Sequence, residues 1–193
     1  MTCIIGLVHA GMVWMGGDSA GVANLNIRSR KDTKVFEVDG RFLIGYTSSF
    51  RMGQLLRFGF NPPKHMGKVS DYEYMCTVFI DAARKRLKDG GYVKVKDSRE
   101  EGGVFLVGYK GRLYQIDDDF QVGETLDGFD AVGCGSDYAL GSLYSNKNNL
   151  DPKWSILEAL KIAEYFSAGV RRPFVVRRLK VKKRGDKKDV IKL

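Results

Sequence analysis

Three residues near the start of the chain, Thr2, Asp18 and Lys34, bring together a hydroxyl, a carboxylate and an amine. Thr2 follows Met1 directly, and methionine aminopeptidase trims Met before small residues. Removal of Met1 would give Thr2 a free α-amine beside its own hydroxyl, a nucleophile and its base in one residue. A buried Lys near such a hydroxyl lowers its proton affinity, and an Asp beside that Lys keeps it charged and oriented. Each residue also has an ordinary reading. Asp18, in GGDSAG, suits a turn, and Lys34 could be one solvated charge among Arg28, Arg30 and Lys31.

The elements that must position these groups read as β-rich at both ends of the segment. TCIIGLV (2–8) and MVWMGG (12–17) flank HAG and form an expected hairpin. KVFEV (34–38) and RFLIGYT (41–47) flank Asp39-Gly40, a strong hairpin signal. A helix is expected over 49–58, a loop over 60–67, and an amphipathic helix over 71–88 that stops at Gly90-Gly91. Strands follow at 103–109, 112–117 and 129–133, then a short helix at 135–145. Asp151 caps a helix with Pro152 in its first turn, running to about Phe166. A last strand is expected at 173–181. Runs of strands followed by runs of helices imply a layered α+β architecture.

Composition narrows the class. The 193 residues suit one domain with a substantial core, and 44% hydrophobic content is that of a globular chain. No apolar run approaches the roughly 20 residues of a membrane span, and a secretory head is missing from the N-terminus. Cys3, Cys76 and Cys134 are an odd number without CxxC spacing, which argues against a disulfide framework or zinc site and for a reduced, cytoplasmic setting. With His9 and His65 the only histidines, histidine-based metal or triad chemistry has little to work with. No metal and no cofactor are expected.

The formal charge of +9 is located in one place. Residues 171–193 hold 11 of the 32 Lys and Arg and two of the 23 Asp and Glu, leaving 21 of each sign elsewhere. The body is neutral and the tail carries the excess. The expected organisation is one domain over 1–181 and a basic tail over 182–193, either a solvated terminus or, as the weaker reading, an arm for RNA, DNA or an acidic partner. No aromatics interleave KVKKRGDKKD, so base stacking has no support, and a nucleic-acid partner is not the expected one.

The segments T-x-I-x-G-x-V, G-x-V-x-x-G-G-D-S, K-V-F-E-V and GCGSDYALG together resemble proteasome β subunits and the bacterial HslV peptidase. The similarity runs to about residue 180. It implies the four-layer αββα sandwich of N-terminal-nucleophile hydrolases, and a threonine peptidase of protein or peptide substrates. It further implies homo-oligomeric rings and an ATPase unfoldase or regulator that feeds them. The separations of Asp18 and Lys34 from Thr2 match those of the family's Asp and Lys. By this resemblance Thr2 is the nucleophile, its α-amine the general base, and Lys34 with Asp18 the stabilising pair.

The remaining roles also come from the resemblance. Cys134, in GCGSD, aligns with a Ser that helps to hold the terminal amine; a structural thiol is the alternative. Glu164 and Ser167, in EYFSAG, align with an Asp-x-x-Ser-Gly-Gly pattern near the nucleophile, a solvated Glu and a helix-end Ser being the alternative. YTSSF offers Ser48 where the family uses a Gly-Gly for the oxyanion hole, at a cost if that position needs positive φ. Tyr46 is a candidate wall of the substrate pocket or a core aromatic. Ser48, Cys134 and Glu164 also suit a catalytically silent ring-forming scaffold of the same fold.

Overall fold

The structure, a computed structural model, describes residues 1–179. The strands are β1 (Ile4–His9), β2 (Met12–Gly17), β3 (Ala20–Ala23), β4 (Asn26–Ser29), β5 (Val35–Val38), β6 (Phe42–Tyr46), β7 (Lys94–Lys96), β8 (Arg99–Glu101), β9 (Phe105–Tyr109), β10 (Arg112–Ile116), β11 (Val122–Gly123), β12 (Phe129–Val132) and β13 (Val175–Arg178). The helices are α1 (Phe50–Gly59), α2 (Asp71–Tyr74), α3 (Ile80–Asp89), α4 (Ser136–Ser145) and α5 (Pro152–Phe166), with a π turn over Met75–Phe79 joining α2 to α3.

Two antiparallel sheets dominate, one ordered β12-β1-β2-β13 and the other β11-β10-β9-β6-β5. Alternation along the strands sends neighbouring residues to opposite faces. In β1, Ile5 joins Ala159, Leu160 and Ala163 of α5, whereas Ile4 joins Met15, Leu43 and Leu106. That second group draws from both sheets. The outer face of the five-stranded sheet, with Phe42, Ile44 and Tyr46, packs on Met52, Leu56 and Phe79. The result is a mixed helix and sheet fold with a buried apolar cluster on each side of the sheets and one between them.

Both expected hairpins form, β1 with β2 and β5 with β6. Asp39 and Gly40 take the positive φ that such a turn uses. The 71–88 helix forms with a π turn inside it, where the Thr77 hydroxyl donates to the Glu73 carbonyl at 2.7 Å. Asp151 caps α5 as expected, accepting from the amides of Lys153 and Trp154.

Two short hairpins go beyond the sequence reading. β3–β4 turns at Asn24 with φ 53°, and β7–β8 turns at Asp97 and Ser98, both with positive φ. β7–β8 is polar and largely exposed, and β3 (AGVA) is made of small residues, so neither hairpin shows the clear alternation that marks a half-buried strand. The expected last strand is shorter, Val175–Arg178, and pairs with β2. Leu179 beyond it is buried, and its amide donates to the Val13 carbonyl at 2.9 Å. The tail, 182–193, lies outside the described residues. Among the described residues no helix is long and apolar enough to cross a membrane.

Candidate active site

Thr2 stands two residues before the start of β1, Asp18 directly follows β2, and Lys34 directly precedes β5. The β1–β2 register pairs Ile4 with Gly17, which brings the segments carrying Thr2 and Asp18 side by side. Gly17 is needed for this close approach, because a Cβ there would meet the Ile4 and Val35 side chains at 2.8 and 3.1 Å. Lys34 then reaches in from the second sheet.

The three side chains meet in the interior, each residue 2–3% exposed. The Lys34 ammonium donates to the Thr2 hydroxyl oxygen and, at 2.8 Å, to Asp18 Oδ1. Asp18 also accepts from the Cys3 amide at 3.1 Å through Oδ1, and from the Ala20 and Arg171 amides at 2.8 and 3.3 Å through Oδ2. Three backbone donors and one ammonium therefore fix the carboxylate in its buried position. Burial pushes the Lys34 ammonium below its ordinary pKa, and the charge and hydrogen bond of Asp18 push back.

The other side of Thr2 is sulfur. The Thr2 amide donates to Cys134 Sγ at 3.2 Å, and the Cys134 thiol faces the Thr2 carbonyl at 3.5 Å. Ser167 donates its hydroxyl to the same sulfur at 3.3 Å. Cys134 thus lies beside the Thr2 nitrogen, and Ser167 reaches it only through that sulfur. With Met1 attached, that nitrogen is a peptide amide. Gly133 makes the approach possible: its φ is 105°, and a Cβ there would collide with the Thr2 carbonyl oxygen.

Glu164 is placed differently. Its carboxylate accepts from the Arg172 amide and the Arg172 guanidinium, each at 2.8 Å. The guanidinium beside it holds the Glu164 carboxyl below its ordinary pKa. Among the described residues Glu164 makes no hydrogen bond to Thr2. Its reach is spent on the 171–173 segment, which in turn donates the Arg171 amide to Asp18.

Ser48 adopts φ 61°, the left-handed region that favours glycine. Its hydroxyl accepts from the Val104 amide at 3.1 Å, a bond that supports the unusual conformation. Its own amide donates to no acceptor among the described residues. Ser48 and Tyr46 both line a small cavity beside Thr2 and Lys34. Tyr46 is nearly buried, with its ring close to Phe36 and Phe50. It is both a core aromatic and a wall of that cavity.

Several contributors carry no legible mark in the sequence. The Arg171 amide, and Ser19, which binds the Arg171 and Pro173 carbonyls at 2.8 and 2.6 Å, act through backbone far away in the chain. Gly133 is the exception, since a Gly before Cys134 is visible in GCG.

Among solved structures the chain is similar over nearly its whole length to BPH of Thiobacillus denitrificans. The TM-score is 0.78 with 18% identity, covering 93% of this chain and 98% of that one. The same comparison with HslV from Trypanosoma brucei gives a TM-score of 0.68 at 18% identity, covering 93% and 99%. Anbu from Hyphomicrobium gives 0.63 at 18%, covering 95% and 85%. The fold is that of the proteasome-type hydrolases. No protein-family model and no curated protein sequence matches the chain.

Proposed function

We propose that the protein is a threonine peptidase of the proteasome and HslV type, with Thr2 as nucleophile once Met1 is removed. One observation carries the reading: the Thr2 hydroxyl, the Lys34 ammonium and the Asp18 carboxylate are in continuous contact and buried together. Burying an ammonium and a carboxylate is expensive, and an apolar pair would fill the space more cheaply. Their placement against a hydroxyl has a chemical use.

In the proposed reaction the Thr2 oxygen attacks a peptide carbonyl, and its proton passes to the α-amine of Thr2, directly or through a water. An α-amine has an ordinary pKa of about 7.7–8.0, so a useful fraction is unprotonated at neutral pH. Lys34 favours the developing negative charge on oxygen, held in place by Asp18. The Ser48 amide, which has no acceptor among the described residues, is the candidate oxyanion donor. The C–N bond then breaks, the leaving amine takes the proton, and water hydrolyses the acyl ester. Cys134 Sγ, itself held by the Ser167 hydroxyl, is the partner of the Thr2 α-amine.

The three apolar clusters support the αββα order of four layers. Assembly into homo-oligomeric rings, feeding by an ATPase unfoldase or regulator, a cytoplasmic setting and a single domain over 1–181 belong to the same proposal. A second reading, a silent scaffold of this fold, is favoured by Ser48 at a positive φ and by the commitment of Glu164 to Arg172.

Epoxomicin was found in complex with the Thiobacillus BPH, and it supplies the test. Mass spectrometry of the purified protein should show Met1 absent and an epoxomicin adduct on Thr2. Labelling that persists at full strength in Thr2→Ala would refute the assignment. An unlabelled, Met-free protein that still assembles would favour the scaffold.

A further inference from the structure

We infer that two opposite sides of this fold are electrostatic complements, so that the acidic side of one copy docks the basic side and tail of the next. The inference rests on the ring assembly proposed above and does not depend on the chemistry of Thr2.

The neutral body is polarised. From Leu113 to Asn146 the chain holds seven Asp and Glu and no Lys or Arg. That stretch supplies most of β10, and all of β11, β12 and α4. β12 is an edge of the four-stranded sheet, β11 is an edge of the five-stranded sheet, and β12 lies over β10. The two edges therefore fall on one side of the paired sheets. Asp118, Asp119, Glu124, Asp127 and Asp137 are exposed there. Of the seven acids only Glu124 has a cation partner among the described residues, Arg112 at 2.6 Å. Elsewhere Asp71, Glu100 and Glu164 find theirs within the chain. Crowding of like charge is felt inside this edge as well. Burial pushes the Asp130 carboxyl up against the pull of the Ala131 amide, and the charge of Asp117 adds to the push.

The other two edges, β13 and β5, lie together on the far side. Across the four-stranded sheet that is roughly 14 Å away. Arg177 and Arg178 of β13 are exposed. The Ser29 hydroxyl donates to the Arg172 carbonyl at 3.1 Å, which brings the segments carrying Arg28 and Arg171 to the same side. Arg30 and Arg172 are paired to Asp32 and Glu164, whereas Arg28, Arg171, Arg177 and Arg178 have no carboxylate partner among the described residues. Residues 180–193, beyond the described ones, add seven Lys and Arg against two Asp. A stretch of that length reaches at most about 50 Å, enough to cross the acidic side of a neighbour.

Opposite charge on opposite sides attracts copies head to tail and repels them head to head. A head-to-tail contact leaves the same two surfaces free at the ends, so it repeats until a ring closes. A second copy of this chain is therefore the partner that fits both surfaces at once.

The test uses two altered chains and sedimentation velocity. One carries Asp118→Lys, Asp119→Lys and Asp127→Lys, which makes both sides basic. The other carries Arg177→Glu and Arg178→Glu and ends after residue 181, which leaves its acidic side without a basic complement. None of these residues belongs to the candidate active site, and circular dichroism checks that each chain is folded. Exposed ion pairs are individually weak, but several together should raise the dissociation constant of assembly about tenfold or more in either chain alone. Mixing the two should restore assembly, because each supplies the surface the other lacks. For the unaltered protein, raising salt from about 0.1 to 1 M, which shortens the screening length from about 10 to 3 Å, should weaken assembly. Assembly of either folded altered chain alone at the unaltered strength, or a mixture no stronger than its parts, overturns the inference and leaves the ring reading intact. Nucleic acid retained by the full chain and lost on truncation, with assembly indifferent to every charge change, would give the basic side to nucleic acid and overturn it too. An unaltered protein that is monomeric at every concentration and salt overturns both the inference and the ring reading, while epoxomicin labelling of Thr2 still judges the chemistry separately.

Discussion

Lys34 Nζ and Asp18 Oδ1 are 2.8 Å apart, and neither side chain is more than 2% exposed. The partners are not equivalent. Asp18 has three backbone amides besides Lys34, whereas among the described residues Lys34 has only Asp18 and the Thr2 hydroxyl as hydrogen-bond acceptors. Removal of one partner of a buried pair typically costs about 3–5 kcal/mol. Asp18→Ala should sit at the upper end, because it strands the ammonium and three amides. Lys34→Ala should cost clearly less, since Asp18 keeps its amides, yet abolish turnover. Urea denaturation of both variants, read beside peptide hydrolysis, checks the order. Equal destabilisation would contradict the asymmetry.

The same pair predicts a pH dependence. Burial lowers the Lys34 pKa, and Asp18 opposes that shift. Turnover needs the ammonium, so the alkaline limb of kcat/KM should lie below the ordinary Lys value of about 10.4. Asp18→Asn removes the group that raises the pKa and should move the limb further down. For folding the sign is opposite. Between the lowered native pKa and the unfolded one, the unfolded chain binds more protons, so the contribution of Lys34 to stability rises with pH across that window. Comparing pH–rate and pH–stability profiles of the two proteins tests both directions.

Gly133 should tolerate no side chain. A Cβ at this position would strike the Thr2 carbonyl, and φ 105° is unsuited to an L residue. Gly133→Ala is expected to displace Thr2 from Cys134 and reduce epoxomicin labelling at least tenfold. Labelling at the parental rate in a folded Gly133→Ala protein would show that the turn can move without disturbing the nucleophile.

Ser48 offers a finer test. Its hydroxyl holds the Val104 amide while its backbone stays left-handed. Ser48→Ala keeps the conformational penalty and loses the bond, so it should destabilise the protein by about 1 kcal/mol. Ser48→Gly loses the same bond but relieves a penalty of roughly 1–2 kcal/mol, and should be neutral or mildly stabilising. Thermal unfolding of both variants measures the difference, and a Gly variant less stable than the Ala variant would show that the left-handed backbone is not a burden.

Truncation after residue 181 should leave a folded, active protein, because residues 182–193 have few apolar side chains to bury. Truncation after residue 174 should not. It removes β13 from the edge of its sheet and takes away buried Leu179, whose amide pairs with Val13. Circular dichroism melts of the two shortened chains separate these outcomes.

The sequence by itself determined the local elements with strong signals: the two hairpins, the capped helix at Asp151 and Pro152, and the helix over 71–88. These depend on residues near one another, so alternation, caps and turn residues announce them. It also named Thr2, Asp18 and Lys34, but through the resemblance to proteasome β subunits and HslV, since by their types alone Asp18 reads as a turn residue and Lys34 as a solvated charge. Only the tertiary structure decided that they meet, because the contact requires the β1–β2 register and a residue from the other sheet. It likewise decided that Glu164 serves Arg172 and that the amide of Arg171 serves Asp18. A backbone amide looks the same at every position of a sequence, and a carboxylate's partner is set by which charged group the fold brings within reach.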